Sequence, residues 1–312
     1  MTNMEKTKLI VVAGPTASGK TSLAVEIAKA VSGEVISADS MQVYKGMSIA
    51  TAAPTKEEIQ GVPHHLVEFL DRENSFSVSD FCNLAKEKVQ EITKRGNVPV
   101  IAGGTGLFID SFVNNITFTE AQTDEALRQS LMERSEDDLY EELLKADSQA
   151  ALKIHKNNKK RVVRALEIIY TTGKTKSFQD ENSKLGENPY ETLYFVIGFK
   201  DRQKLYSRIN ERVDKMVEAG LVEEARQSLG LPAKTAAQAI GHKELAPYFS
   251  GEVSLEDALE NLKMETRRYA KRQITWFKRR NDAALLYADE LSPQQLIDTA
   301  VNMSKEFLYA GK

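Results

Sequence analysis

A glycine-rich loop followed by lysine and threonine is the stretch of this sequence best suited to chemistry. Gly14-x-x-x-x-Gly19-Lys20-Thr21 follows an apolar run, Leu9–Ala13, and precedes Ser22–Ala28, whose apolar residues have helical spacing. Strand, loop and helix in this order form a phosphate-binding P-loop, in which backbone N–H groups and the positive helix end surround a polyphosphate. Lys20 would neutralise phosphate charge, and the Thr21 hydroxyl would bind Mg²⁺. The predicted diphosphate or triphosphate site consists of Gly14, Pro15, Thr16, Ala17, Ser18, Gly19, Lys20 and Thr21.

An aspartate ends the next predicted strand. Asp39 follows Glu34–Ala38. Ligands of parallel sheets bind beyond the carboxyl ends of the strands, so Asp39 should face the phosphate site. Its carboxylate could accept a proton from a nucleophile or hold the water shell of Mg²⁺, or it could cap the following turn. Position alone leaves these roles open.

A third apolar strand, Val98–Ala102, ends in Gly103-Gly104-Thr105-Gly106 rather than in an acidic residue. Backbone N–H groups and the Thr105 hydroxyl suit anionic oxygens better than a second carboxylate-bound metal. The alternative is a turn that caps the following helix.

Two stretches are rich in lysine and arginine, although the whole chain has a net charge of −3. Thr266–Arg280 combines basic side chains with Tyr269, Trp276 and Phe277, and Lys153–Arg164 forms a second basic cluster. Basic residues beside aromatic ones fit an RNA phosphate surface, and they equally fit a solvated helix face with a buried tryptophan.

Composition is that of a globular protein: 41% of the 312 residues are hydrophobic and 28% are charged. No apolar stretch reaches transmembrane length, and Met1–Lys8 is short and polar, unlike a signal peptide. The single cysteine, Cys82, excludes an internal disulfide and a cysteine-rich zinc site. His64 and His65 would point to opposite faces of a strand without a third ligand nearby, which favours structural roles over metal binding. We expect a cytoplasmic enzyme.

The order of the elements predicts an α/β fold, a P-loop-type parallel sheet flanked by helices. Residues 1–117 would form the first part of the core. Residues 118–190, rich in short charged helices such as Lys159–Thr171 closed by Gly173, would form an inserted all-helical domain. Residues 191–312 would return to the sheet through Leu193–Phe199 and end in a helical C-terminal region.

Several segments together resemble the tRNA dimethylallyltransferase family. They occur in the family's order and span residues 14–277. The matching segments are the P-loop, Ser37-Ala38-Asp39-Ser40-Met41-Gln42-Val43-Tyr44, Pro63-His64-His65-Leu66, Gly103-Gly104-Thr105-Gly106-Leu107, Arg161-Val162-Val163-Arg164-Ala165-Leu166-Glu167 and Ala270-Lys271-Arg272-Gln273-Ile274-Thr275-Trp276-Phe277.

The resemblance implies dimethylallyl diphosphate as donor, Mg²⁺ as cofactor and the tRNA anticodon stem-loop as partner. The acceptor would be the exocyclic N6 of the adenosine 3′ to the anticodon. Asp39 would act as general base, while Lys20, Arg212 and Thr105 would complete the catalytic set. The residues implied for tRNA binding are Asp39, Ser40, Met41, Gln42, Thr105, Arg128, Lys160, Arg161, Val162, Val163, Arg164, Gln238, Ala239, Ile240, Gly241, His242 and Lys243.

The sequence also departs from the family pattern. Gly46-Met47-Ser48-Ile49-Ala50-Thr51-Ala52-Ala53-Pro54 stands where the family commonly has Gly-Met-Asp-Ile-Gly-Thr-Ala-Lys-Pro, and His242 stands where tyrosine is usual. Three alternatives remain: a P-loop kinase of a nucleoside or small metabolite, an isopentenyltransferase acting on free adenine nucleotides, and a GTPase-like switch or RNA-binding module without catalysis. We expect a monomer without a protein partner and without membrane attachment.

Overall fold

The computed structural model describes residues 6–118, 124–183, 187–233 and 235–310. The other residues, which include most of the polar N-terminal stretch discussed above, lie outside this described part. The chain divides into two compact units, Met1–Val113 with Pro189–Lys312, and Asn114–Asn188.

The larger unit contains a six-stranded sheet in the order β3-β2-β4-β1-β5-β6, and every pair of neighbours is parallel. The predicted parallel sheet is therefore confirmed. The strands are β1 Thr7–Ala13, β2 Gly33–Ser37, β3 His64–His65, β4 Val98–Gly103, β5 Tyr190–Gly198 and β6 Ala284–Tyr287.

Helices connect these strands and cover both faces of the sheet. The helices described in this unit are α1 Lys20–Ala30, α2 Ser48–Thr51, α3 Lys56–Ile59, α4 Val78–Lys94, α5 Gly106–Val113, α11 Arg202–Glu218, α12 Leu221–Gln227, α13 His242–Phe249, α14 Leu255–Phe277 and α15 Pro293–Tyr309, with a 3₁₀ turn at Thr235–Gln238. The basic helix predicted through Thr266–Arg280 is α14, which begins at Leu255 because Ser254 accepts a capping hydrogen bond from the Asp257 N–H.

The central strand β1 is buried on both faces, as its apolar run predicts. Leu9 and Val11 belong to the cluster formed with α4 and α5, whereas Ile10 and Val12 belong to the cluster formed with α1 and α15. Alternate side chains of a strand point to opposite faces, so an unbroken apolar run between two helical layers is what this position requires.

The described residues of the smaller unit form helices joined by short turns, without a strand, and have their own core around Leu139, Leu143 and Leu166. Its helices are α6 Glu125–Glu133, α7 Glu136–Ala146, α8 Ser148–Lys153, α9 Lys159–Thr172 and α10 Lys176–Asn182. Each begins at a side-chain cap, supplied by Asp124, Ser135, Asp147, Asn158 and Thr175 respectively. These caps satisfy the first N–H groups of short, highly charged helices. Within the described residues, no helix is long and apolar enough to cross a membrane.

Candidate active site at the carboxyl ends of the strands

The loop between β1 and α1 presents a row of unused backbone donors. Ala17 and Gly19 have left-handed conformations, with φ of 61° and 94°. Residues of this kind turn successive N–H groups toward one side of the chain. Among the described residues, no acceptor takes a hydrogen bond from the N–H groups of residues 17–21, and the buried Ser18 hydroxyl also has no partner. The loop therefore forms a cradle that suits an anion such as a diphosphate.

Thr16, just before these donors, has no N–H available to a ligand. Its N–H donates to Gln273 Oε1 at 2.8 Å, so it is already satisfied by α14. Gln273 Nε2 donates in turn to the Gly104 carbonyl at 3.0 Å. One buried amide side chain thus joins the P-loop to the carboxyl end of β4.

The Lys20 ammonium lies over the loop and donates to the Pro15 carbonyl at 2.6 Å. Burial lowers the pKa of Lys20 to about 7, with a smaller lowering from Arg212 and an opposing contribution from Asp39. A bound anion would favour the charged form and raise this pKa again. Lys20 is therefore placed to gain a full positive charge when a diphosphate enters the cradle.

Two arginines of α11 contact the same loop. Arg208 Nε donates to the Ala17 carbonyl at 2.9 Å, and Arg212 reaches the Thr16 hydroxyl at 3.5 Å. Burial lowers the pKa of Arg212, while Glu58 and Asp39 oppose that shift. The two side chains stand one helical turn apart and so share one face of α11. The structure brings Arg212 to the P-loop and adds Arg208 beside it.

Asp39 begins the loop after β2. Its Oδ1 accepts hydrogen bonds from the N–H groups of Met41 at 2.9 Å and Gln42 at 3.3 Å. This oxygen therefore has the capping role that the sequence left open. Within the described residues, Oδ2 has no hydrogen-bond partner, so one oxygen positions the carboxylate and the other is available to a substrate.

The carboxyl ends of β2 and β4 are tied together. Thr105 Oγ1 accepts from the Ser40 N–H at 3.1 Å, and the Thr105 N–H donates to the Ala38 carbonyl at 3.2 Å. A Cβ at Gly103 would lie 2.2 Å from the same carbonyl, so only glycine permits this approach. Thr105 thereby positions the loop that carries Asp39.

Helix α14 packs closely against the residues after β4, because two of those residues are glycines. A Cβ at Gly104 would lie 2.2 Å from Gln273 Nε2, and one at Gly106 would lie 2.3 Å from the Trp276 ring. Trp276 Nε1 donates to Asp110 Oδ2 at 2.7 Å, which anchors the helix to α5. Gln273 and Arg208 are site residues that sequence reasoning did not select; the family-like Ala270–Phe277 segment and the spacing of Arg208 to Arg212 were the available signals.

The smaller unit carries several residues predicted to bind RNA. Lys160 and Arg161 are exposed on α9. Arg128 and Arg164 both bind one oxygen of the fully buried Glu167, at 2.8 and 3.0 Å.

Three of the residues predicted to bind tRNA have buried side chains. Val162 and Val163 are 1% and 2% exposed in the core of the smaller unit, and Ala239 is 1% exposed in the larger one. A helix that presents basic residues on one face buries apolar residues such as Val162 and Val163 on the other, and the part of all three residues in tRNA binding stays a prediction. Around Ala239, Gln238 and Lys243 are exposed, while His242 binds Glu224.

The protein offers few ligands for a magnesium ion at this site. The Thr21 side chain, at the start of α1, makes no hydrogen bond with any described residue, so its hydroxyl is available. The described residues contain no group of three or more histidine, cysteine, aspartate or glutamate side chains that could hold a metal. This donor set fits Mg²⁺, which keeps several waters and binds through substrate phosphates.

Comparison with known proteins gives a consistent result. Residues 42–280 match the family model described as IPP transferase. The chain is 45% identical over 320 residues to the tRNA dimethylallyltransferase of Bacillus subtilis, with 99% of each chain covered. A tRNA isopentenylpyrophosphate transferase structure from Bacillus halodurans matches with a TM-score of 0.73 at 40% identity, covering 97% of both chains. A eukaryotic dimethylallyltransferase acting on tRNA matches with a TM-score of 0.85 at 30% identity, covering 97% of this chain and 80% of that one. The P-loop cradle, the neighbouring carboxylate and these matches place the chain in the IPP transferase family, the tRNA dimethylallyltransferases.

Proposed function

We propose that this protein transfers a dimethylallyl group from dimethylallyl diphosphate to the exocyclic N6 of the adenosine 3′ to the anticodon of tRNA, and releases diphosphate. The observation that carries the proposal is the cradle of unused N–H donors between Ala17 and Thr21, whose Lys20 interacts electrostatically with the Asp39 carboxylate. An anion site beside a carboxylate with one available oxygen suits a diphosphate leaving group next to a base. The names of the relatives agree with this reaction.

The reaction balances with groups already in place. The bond between the allylic carbon and the diphosphate oxygen breaks, and its electron pair stays on the diphosphate. N6 forms the new bond to that carbon, and its proton passes to Asp39 Oδ2. Lys20 and Arg212 stabilise the charge that develops on the diphosphate. Thr105 holds the loop of Asp39 in register with the cradle.

We also propose that Thr21 holds Mg²⁺. When bound, the ion would neutralise charge on the diphosphate oxygens. The hydroxyl is a single ligand, so waters and the diphosphate itself would supply the rest of the coordination shell.

The acceptor adenosine must leave its base stack to reach a site of this kind. We propose the helical insertion, predicted as residues 118–190, as an RNA-contacting domain, because Lys160 and Arg161 expose positive charge on α9. The further tRNA-contacting residues proposed are Asp39, Ser40, Met41, Gln42, Thr105, Arg128, Arg164, Gln238, Ile240, Gly241, His242 and Lys243. Since tRNA is the acceptor, we place the reaction in the cytoplasm, with one chain forming a complete site.

The test is a mass measurement on alternative acceptors. The purified protein is mixed with Mg²⁺ and dimethylallyl diphosphate, and then with an anticodon stem-loop, AMP or ATP in parallel. We expect a gain of one dimethylallyl group on the RNA alone. A gain on AMP would indicate the free-nucleotide enzyme, and consumption of ATP without any prenylated acceptor would indicate a kinase; either result overturns the proposal. A stem-loop with guanosine in place of the acceptor adenosine is the matched control.

A further inference from the structure

The short helix α2 is held at both ends by side chains that lie outside it. At its carboxyl end, Gln42 Nε2 donates to the carbonyls of Thr51 at 3.2 Å and Ala52 at 3.0 Å. The other amide atom of Gln42, Oε1, accepts from the Ser37 hydroxyl at 2.9 Å. The Gln42 backbone N–H donates to Asp39 Oδ1. One residue thus links α2 to the turn that carries the proposed base.

Glu224 of α12 holds the other end of α2. Its two carboxylate oxygens accept from the N–H groups of Ile49 at 2.8 Å and Ala50 at 2.9 Å. These N–H groups lie in the first turn of α2, where no acceptor within the helix exists. The Glu224 side chain is only 11% exposed, so the pair of bonds is largely shielded from water.

His242 completes the environment of this carboxylate. Its Nε2 lies 2.9 Å from Glu224 Oε1, and its side chain is 12% exposed. Burial alone raises the pKa of Glu224, but the hydrogen bonds from His242, Ala50 and Ile49 outweigh it and hold the pKa below its ordinary value. Glu224 therefore stays ionised with three donors around it.

We propose that Glu224 is a positioning residue for the transfer reaction. It fixes α2, and α2 through Gln42 fixes the turn that aims Asp39. The inference rests on the proposed function, in which Asp39 accepts the N6 proton. Small displacements of a reacting group reduce rates strongly, so a loosened α2 should lower turnover without disturbing the phosphate cradle.

The first test is Glu224→Gln. A carboxamide has one oxygen, and its NH₂ group opposes one of the two backbone donors, so one bond of the pair is lost. We expect kcat for prenylation of the stem-loop to fall about tenfold at saturating substrates. Because no residue of the cradle is changed, the Kd for inorganic pyrophosphate should stay within about twofold.

Glu223→Gln is the matched control. Glu223 is the neighbouring residue of α12, its side chain is 62% exposed, and its partners Arg226 and Gln227 belong to the same helix. Its kcat should equal that of the wild type. A Glu224→Gln variant that matches Glu223→Gln overturns the inference alone. A wild-type chain that prenylates no RNA overturns the proposed function and this inference with it.

A double-mutant cycle separates positioning through α2 from a general structural effect. Once Gln42→Leu has cut the link between α2 and the Asp39 turn, adding Glu224→Gln should lower kcat by no more than about twofold. If the reductions in kcat caused by Gln42→Leu and Glu224→Gln multiply in the double variant, the inference is overturned. Circular dichroism at the assay temperature checks the fold. Where Glu224→Gln does not fold, the milder His242→Gln, expected to cost two- to threefold alone, enters the same cycle, and its loss should then disappear in the Gln42→Leu background.

Discussion

The bridge that Gln273 forms between the P-loop and the end of β4 should contribute measurably to the stability of the protein. Gln273 is 5% exposed, and its amide satisfies the Thr16 N–H and the Gly104 carbonyl. Gln273→Leu keeps most of the side-chain volume but leaves both backbone groups without a partner. Each buried unsatisfied group costs about 1–3 kcal/mol, so the free energy of unfolding should fall by roughly 2–6 kcal/mol.

The assay can report on this region of the molecule directly. Trp276 is the only tryptophan, and it lies on α14 almost one turn beyond Gln273. Denaturant unfolding followed by its fluorescence gives the loss of stability near the bridge. A looser P-loop should also bind inorganic pyrophosphate about fivefold more weakly, which corresponds to about 1 kcal/mol of lost preorganisation.

Gln294→Leu serves as the control, because Gln294 is exposed on α15 and its side chain donates to Asp298 at the surface. Its effect should stay within about 0.5 kcal/mol. If Gln273→Leu and Gln294→Leu unfold at the same denaturant concentration, the bridge contributes no net stability and the reasoning is refuted.

Four further experiments test the charged groups. Asp39→Asn should retain stem-loop affinity while lowering kcat by about 10²–10⁴, the usual contribution of a general base; full activity would remove Asp39 from the mechanism. Hydrogen bonds from Arg95, opposed by burial, lower the pKa of Glu34 to about 2 from 4.5. This depressed pKa stabilises the fold above pH 4.5, and the free energy of unfolding should fall by about 3 kcal/mol as pH falls from 4.5 to 2. Glu34→Gln should flatten that part of the plot of stability against pH. An unchanged plot would contradict the assignment of this effect to Glu34. Because the pKa of Lys20 is about 7 without ligand, pyrophosphate binding at pH 8 should be accompanied by proton uptake. Calorimetry in buffers of different ionisation enthalpy measures this uptake. Binding heats that do not depend on the buffer would argue against proton uptake by Lys20. Replacing Lys160 and Arg161 by alanine should weaken stem-loop binding and reduce its salt dependence. An unchanged slope of log affinity against log salt concentration would indicate that these residues form a solvated helix face without RNA contact.

Sequence reasoning reached the parts of the molecule whose signals are local. The P-loop, the doubly buried strand β1 and helix α9 with Gly173 as its left-handed cap all depend on neighbours within a few residues. The short strands β3 and β6 were not predicted, because two to four residues carry too little periodicity to identify a strand. Pairing with β2 and β5 makes them strands.

The family resemblance predicted tRNA contact for the whole segment 160–164, but the residues of this segment differ in exposure in the fold. Lys160 and Arg161 are exposed while Val162 and Val163 are buried, since adjacent residues of a helix face different directions. A linear segment cannot state which of its residues reach the surface. Burial against Leu139 and Leu143 of another helix decides it.

By itself the sequence determined which residues are available for the proposed chemistry: a loop of the phosphate-binding type, a carboxylate after β2, basic helices and membership of a family that modifies tRNA. The tertiary structure alone decided how these pieces are held. Gln273 reaches Thr16 across 257 residues, and Glu224 reaches Ile49 across 175. Such contacts leave no periodic or local signal, because they depend on where α14 and α12 pack once both sheet faces are buried. The reactive groups are local in the sequence, and their alignment is a property of the folded core.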